Sequence, residues 1–120
     1  MEKEIILEMI KKQMGYLPKP IEYLAELDIN MVKNHIQEKK NAYNTINALE
    51  PKFKSLIALS VGIALNSKEC ILKNTKEAKM NGASTEEILE VFSVAKFSKS
   101  ALSLPNFTET MEWLLQNENK

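Results

Sequence analysis

The sequence predicts an all-α fold, a compact bundle of about six to seven helices in a single domain spanning residues 1–120. Three observations predict it. Apolar residues recur at helical spacing throughout, and strand-like alternation persists nowhere. Helix start and stop signals punctuate the chain at regular intervals. A chain of 120 residues, 44% hydrophobic and 27% charged, has a globular composition and can bury one core without a metal or disulfide to hold it.

The first helix runs from about Glu4 to Met14, with Ile5, Met9 and Ile6 on its apolar face. Gly15-Tyr16-Leu17-Pro18-Lys19-Pro20 breaks it. Pro20 suits the first turn of a short second helix through Leu27, since its missing N–H costs nothing there. Asp28 is a natural N-cap for a third helix, whose stripe is Ile29, Val32 and Ile36 and whose remaining surface is polar.

Pro51 opens a fourth helix, Lys52 to about Asn66. Its centre, Leu56 to Leu65, is apolar nearly all round, which predicts burial on every side. Ser60 and Gly62 are small and let another helix approach closely. A fifth helix spans about Ser67 to Asn81, with Ser67 as its N-cap and Gly82 ending it. Ser84-Thr85-Glu86-Glu87 has capping-box spacing and opens a sixth, apolar over a wide arc from Ile88 to Phe97. Leu104-Pro105-Asn106 starts the last helix, with Phe107, Met111, Leu114 and Leu115 inward, and Asn117 to Lys120 should fray. Two helices apolar on most faces exceed what so small a monomer can cover. The expectation is a homo-oligomer with the fourth or sixth helix at the interface.

Composition narrows the function. Sixteen basic and sixteen acidic residues balance to zero formal charge, and none of the basic ones is arginine. Without a positive field or a guanidinium fork, nucleic-acid binding is not expected. The longest apolar run, Leu56 to Leu65, is about half a membrane span, so no membrane association is expected. The charged start Met1-Glu2-Lys3-Glu4 does not resemble a signal peptide, and the single cysteine, Cys70, fits a reducing compartment, the cytoplasm. No His/Cys/Asp/Glu cluster has ligand spacing and there is no glycine-rich phosphate loop, so neither a metal nor another cofactor is expected. His35, on a polar helix, reads as solvated; Tyr16 and Trp113 read as core or interface; Glu86, Glu87 and Glu90 read as helix-start charges facing solvent.

One ordered stretch carries the chemistry: Lys52-Phe53-Lys54-Ser55-Leu56-Ile57-Ala58-Leu59, then Asn66-Ser67-Lys68-Glu69-Cys70-Ile71, then Asn74, Ala78 and Gly82 to Val91. It resembles the carboxymuconolactone decarboxylase and alkylhydroperoxidase D-like family. The likeness runs from about Gly15-Tyr16-Leu17-Pro18 to the last helix. It implies an all-helical fold assembled as trimers or hexamers. The peroxidase branch of the family pairs Cys-x-x-Cys with a histidine four residues after the second cysteine and a glutamate twelve before the first. There the second cysteine attacks peroxide, the first resolves the sulfenic acid, and histidine and glutamate relay protons. By this resemblance the attacking thiol falls on Cys70, the resolving position on Ser67, the histidine on Asn74 and the glutamate on Ser55. Three of the four are replaced by residues that act neither as thiol nor as base near neutral pH. The decarboxylase branch implies glutamates shortly before that histidine, one of which falls on Glu69.

Several readings of the residues follow. Cys70 is either a small packed side chain or a reactive thiol, with the helix N-terminus, Lys68 and Lys73 drawing negative charge and Glu69 opposing it. Ser55, Ser67, Cys70 and Asn74 would line a small, polar, uncharged pocket suited to a neutral small molecule. Functionally, the chain is a thiol-dependent peroxidase acting through Cys70 alone, a non-enzymatic oligomeric binding or scaffold protein, or a decarboxylase-type enzyme using Glu69.

Overall fold

The computed structural model describes residues 2–45 and 47–118, so the end of the tail expected to fray lies outside the described residues. Among the described residues the chain is helical throughout and contains no strand. It divides into two compact units, one ending at Ala48 and the other beginning at Leu49.

The first unit holds α1 (Glu2–Met14), α2 (Lys19–Leu27) and α3 (Ile29–Lys40), which runs on into a π-helical turn, Asn41–Thr45. Each boundary has a local cause. Gly15 ends α1 at φ +83°, a left-handed conformation glycine adopts without a Cβ penalty. Pro20 sits in the first turn of α2. The Asp28 carboxylate accepts the Asn30 N–H at 2.9 Å and caps α3 as predicted. Ile10, Ala25 and Val32 are buried, one from each helix, with Ile6, Leu24 and Ile36 among the side chains packed round them. The α1 face therefore differs from the expected one: Ile6 and Ile10 turn inward, whereas Ile5 is 66% exposed. The sequence carries two overlapping apolar stripes one residue apart, and only the packing of α2 and α3 selects between them.

The second unit holds α4 (Pro51–Ala64), α5 (Lys68–Met80), α6 (Thr85–Ala101), the single turn α7 (Ser103–Asn106) and α8 (Thr108–Asn117). Its core joins Leu59 and Ile63 of α4 to Ala95 of α6, with Leu56, Ile71, Ile88 and Val91 packed against them. The predicted capping box at Ser84 is complete: Glu87 N–H donates to Ser84 Oγ at 3.0 Å and Ser84 N–H to Glu87 Oε1 at 2.9 Å. Gly82, at φ +93°, closes α5 in a Schellman motif, with Ala83 N–H reaching Ala78 O at 2.9 Å and Gly82 N–H reaching Lys79 O at 3.1 Å.

Two expectations about burial change within the single chain. The fourth helix is not covered all round, since Ile57 and Val61 are each 51% exposed. Phe107, between α7 and α8, and Leu114 and Leu115 on α8 are exposed and not inward, as is Trp113. In both cases the spacing identifies an apolar face, but no described part of the second unit covers these side chains.

Candidate functional site

Cys70 belongs to a corner where α4 hands over to α5. Asn66 takes φ +60°, a left-handed conformation that asparagine tolerates better than most residues. This lets the chain reverse through a second Schellman motif: Ser67 N–H donates to Gly62 O at 2.9 Å and Asn66 N–H to Ile63 O at 3.1 Å. Ser67 then caps α5, its Oγ accepting the Cys70 N–H at 3.3 Å. Cys70 thus lies in the first turn of α5, where its thiol is free and exposed. The reading of Cys70 as a small packed side chain does not describe it within this chain.

Gly62 makes the corner possible. A Cβ built on it would lie 3.2 Å from Cys70 Cβ and 3.3 Å from the Ile71 nitrogen. The expectation that a small residue here admits a second helix is met, and that helix is α5. The hydroxyl of Ser60, also expected to matter for its size, donates to Ile57 O at 2.6 Å.

Ser55 lies at the other end of the same antiparallel pair. It is 2% exposed, its Oγ donates to Pro51 O at 3.1 Å, and it accepts from Asn81 Nδ2 at 2.7 Å. Seven residues of helix separate Ser55 from Gly62, so Ser55 sits roughly 10 Å along the axis from the level of Cys70. Asn74 is half-buried one turn after Cys70, and Glu69 is exposed in the first turn of α5. The structure therefore brings Ser67 and Cys70 together, sets Asn74 beyond them, and ties Ser55 to Asn81. Asn81 carried no functional signal in the sequence, where it reads only as the residue before a helix-ending glycine.

A larger feature was not anticipated as a site. An open groove of about 1100 Å³ runs between α4 and α6 within the second unit. Phe53, Ile57 and Val61 form one wall, Val91 and Val94 the other. Ser55, Ser67, Cys70 and Asn74 do not line it. Its polar members include Glu87, Glu90 and Lys99. Glu87 is more than a helix-start charge: it also meets Lys52 Nζ at 3.1 Å, joining the starts of α4 and α6. The Ser84 backbone N–H and the Lys52 ammonium hold its carboxyl below the usual carboxylate range. Elsewhere, His35 is exposed. Among the described residues no cluster of three or more His, Cys, Asp or Glu side chains is arranged to hold a metal, and no helix is long and apolar enough to cross a membrane.

The model of the carboxymuconolactone decarboxylase family matches residues 38–103, more than half of the chain, and takes in α4, α5, α6 and the Cys70 corner. No curated protein matches the chain.

Proposed function

The chain belongs to the carboxymuconolactone decarboxylase family, and from that premise we propose that it acts through the single thiol of Cys70, reducing hydroperoxides at the expense of an external thiol. The observation that carries this reading is the exposure of Cys70 in the first turn of α5. As thiolate, its sulfur attacks one peroxide oxygen. A sulfur–oxygen bond forms, the oxygen–oxygen bond breaks, and the leaving alkoxide takes a proton from water to become an alcohol. Cys70 is then a sulfenic acid. Ser67 stands beside it with no sulfur to resolve that acid, so an external thiol condenses with it and releases water. A second thiol attacks the mixed disulfide and returns Cys70 to its reduced form. Asn74 supplies no proton relay, so turnover should be slow beside that of an enzyme with a positioned base. A reducing cytoplasm would suit both the lone thiol and its external reductant.

A second reading has its own support in the groove between α4 and α6, which suits an oligomeric binding or scaffold protein whose reaction site has decayed. Self-assembly, as a trimer or hexamer by the family resemblance, belongs to both readings, because the exposed apolar faces of α4 and α6 need a cover. A decarboxylase-type reaction through Glu69 has less support, since that carboxylate sits at a helix start where it complements the dipole.

Hydroperoxide consumption with a small external thiol, compared between the native chain and a Cys70→Ser variant, separates the readings. The thiol reading expects the variant to fall to the background rate. Equal rates would remove it and leave the binding reading.

A further inference from the structure

The turn that closes α5 holds the one Asn-Gly pair of the sequence, Asn81-Gly82. Asn-Gly is chemically unstable, because glycine has no side chain to shield its backbone nitrogen or restrict its approach. That nitrogen can attack the asparagine Cγ. A new C–N bond forms, the Cγ–Nδ2 bond breaks, and the amide nitrogen leaves as ammonia with the glycine proton. Water, the only other reactant, then opens the five-membered imide at either carbonyl. The product at position 81 is aspartate or isoaspartate. Asn81 and Gly82 are both exposed, so water reaches them.

The fold restrains this reaction at three points. At ψ 12° for Asn81, the Gly82 nitrogen lies nearly in eclipse with the Asn81 nitrogen, whereas ring closure needs it beside Cβ. The Gly82 N–H donates to Lys79 O at 3.1 Å, which engages the proton that must be lost. The leaving nitrogen, Asn81 Nδ2, donates to Ser55 Oγ at 2.7 Å, and Ser55 is 2% exposed on α4. The last of these restraints exists only while the end of α5 is docked on α4.

The product is incompatible with the same contact. A carboxylate at position 81 has no proton to donate near neutral pH. The single Ser55 hydroxyl proton already goes to Pro51 O at 3.1 Å, so oxygen would face oxygen across the helix pair. Isoaspartate adds a methylene to the main chain as well, and so disturbs the bonds from Gly82 N–H to Lys79 O and from Ala83 N–H to Ala78 O that close the turn. We infer that Asn81-Gly82 is a self-modifying site held in check by the docking of α5 on α4, so that deamidation marks chains in which this helix pair has opened and then keeps the pair loose.

The test follows the carboxylate at position 81 by peptide mapping with mass spectrometry during incubation in mildly alkaline buffer. The native chain should deamidate at least about tenfold more slowly than the same chain held unfolded in urea, since only the locally opened fraction reacts. Ser55→Ala removes the acceptor of the leaving nitrogen and should raise the rate about three- to tenfold. Val32→Ala, in the core of the first unit, should leave the rate within about twofold of native, because the restraint is local. Asn81→Asp, made directly, should lower the melting temperature by roughly 5 °C or more, and much less when Ser55→Ala is already present. Circular dichroism verifies that each variant remains helical. A native chain that deamidates as fast as the unfolded one, a Ser55→Ala chain no faster than native, or equal acceleration by Val32→Ala would overturn the restraint. An Asn81→Asp chain that melts with the native one would overturn the claim that the mark loosens the pair.

Discussion

Among the described residues of the first unit, Ile10, Ala25 and Val32 come from three different helices, and eight part-buried apolar side chains close round them. In the second, Leu59, Ile63 and Ala95 come from two helices, with four such neighbours. Among the described residues the exposed large apolar ones divide accordingly, six before Ala48 and seventeen after it. The first unit uses its apolar residues to build its own core. The second divides them between a core and an open face. The family match covers most of the second unit, so the open face lies in the part that carries the family's signature. The lesson is that an apolar helix face reports a need for cover, and whether the same chain or another copy supplies it is a separate question.

Four substitutions bear on this contrast, from the largest expected effect to the smallest. Leu59→Ala empties a site that is 1% exposed at the centre of the second core, and should cost about 2–5 kcal/mol in denaturant unfolding. A cost well under 1 kcal/mol would mean that the second unit has no tight core to contrast with its groove. Gly62→Ala pushes a methyl group against the backbone of α5 at the Cys70 corner. Helix propensity favours alanine by up to about 1 kcal/mol, yet overpacking of this kind typically costs about 1–3 kcal/mol. A lower melting temperature is therefore expected, and a higher one would show that α4 and α5 part easily. Ser67→Ala removes the N-cap of α5 and should cost about 1 kcal/mol, with faster amide exchange confined to the first turn of that helix. Lys33→Met breaks an exposed ion pair with Glu2 in the first unit and should change stability by less than about 1 kcal/mol.

Acid should touch the second unit through Glu87. Its carboxyl is held below its ordinary value by the Ser84 N–H and Lys52, so its folded pKa lies under its unfolded one. The resulting stabilisation is full above the unfolded pKa of about 4.3 and disappears as pH falls through the folded value. Glu87→Gln keeps a capping acceptor but loses the ion pair. Its melting temperature should depend less on pH below about 5 than that of the native chain; an identical pH profile would show that Glu87 contributes nothing to acid sensitivity.

Much of this was legible in the residues, for local reasons. Asp28, Ser67, Ser84 and Gly82 each satisfy backbone groups within a few positions of themselves, so their roles follow from spacing alone. The inward face of α1 was not legible, because Ile5–Met9 and Ile6–Ile10 are equivalent stripes until a neighbouring helix selects one. Nor was the fate of Ser55, whose hydrogen bond to Asn81 spans 26 positions and depends on the register of α4 against α5. The resemblance assigned Cys70, Ser67, Asn74 and Ser55 by their order along the chain. It could not show that Ser55 sits at the far end of the helix pair from the thiol, which only the antiparallel packing sets.

The functional claim depends on whether the Cys70 sulfur meets peroxide. The direct measurement treats the native chain with less than one equivalent of hydroperoxide in the presence of dimedone, then identifies the modified peptide by mass spectrometry. Dimedone bound at Cys70, and absent when hydroperoxide is omitted, is the predicted result. A Cys70 that stays an unmodified thiol while hydroperoxide persists in solution would contradict it.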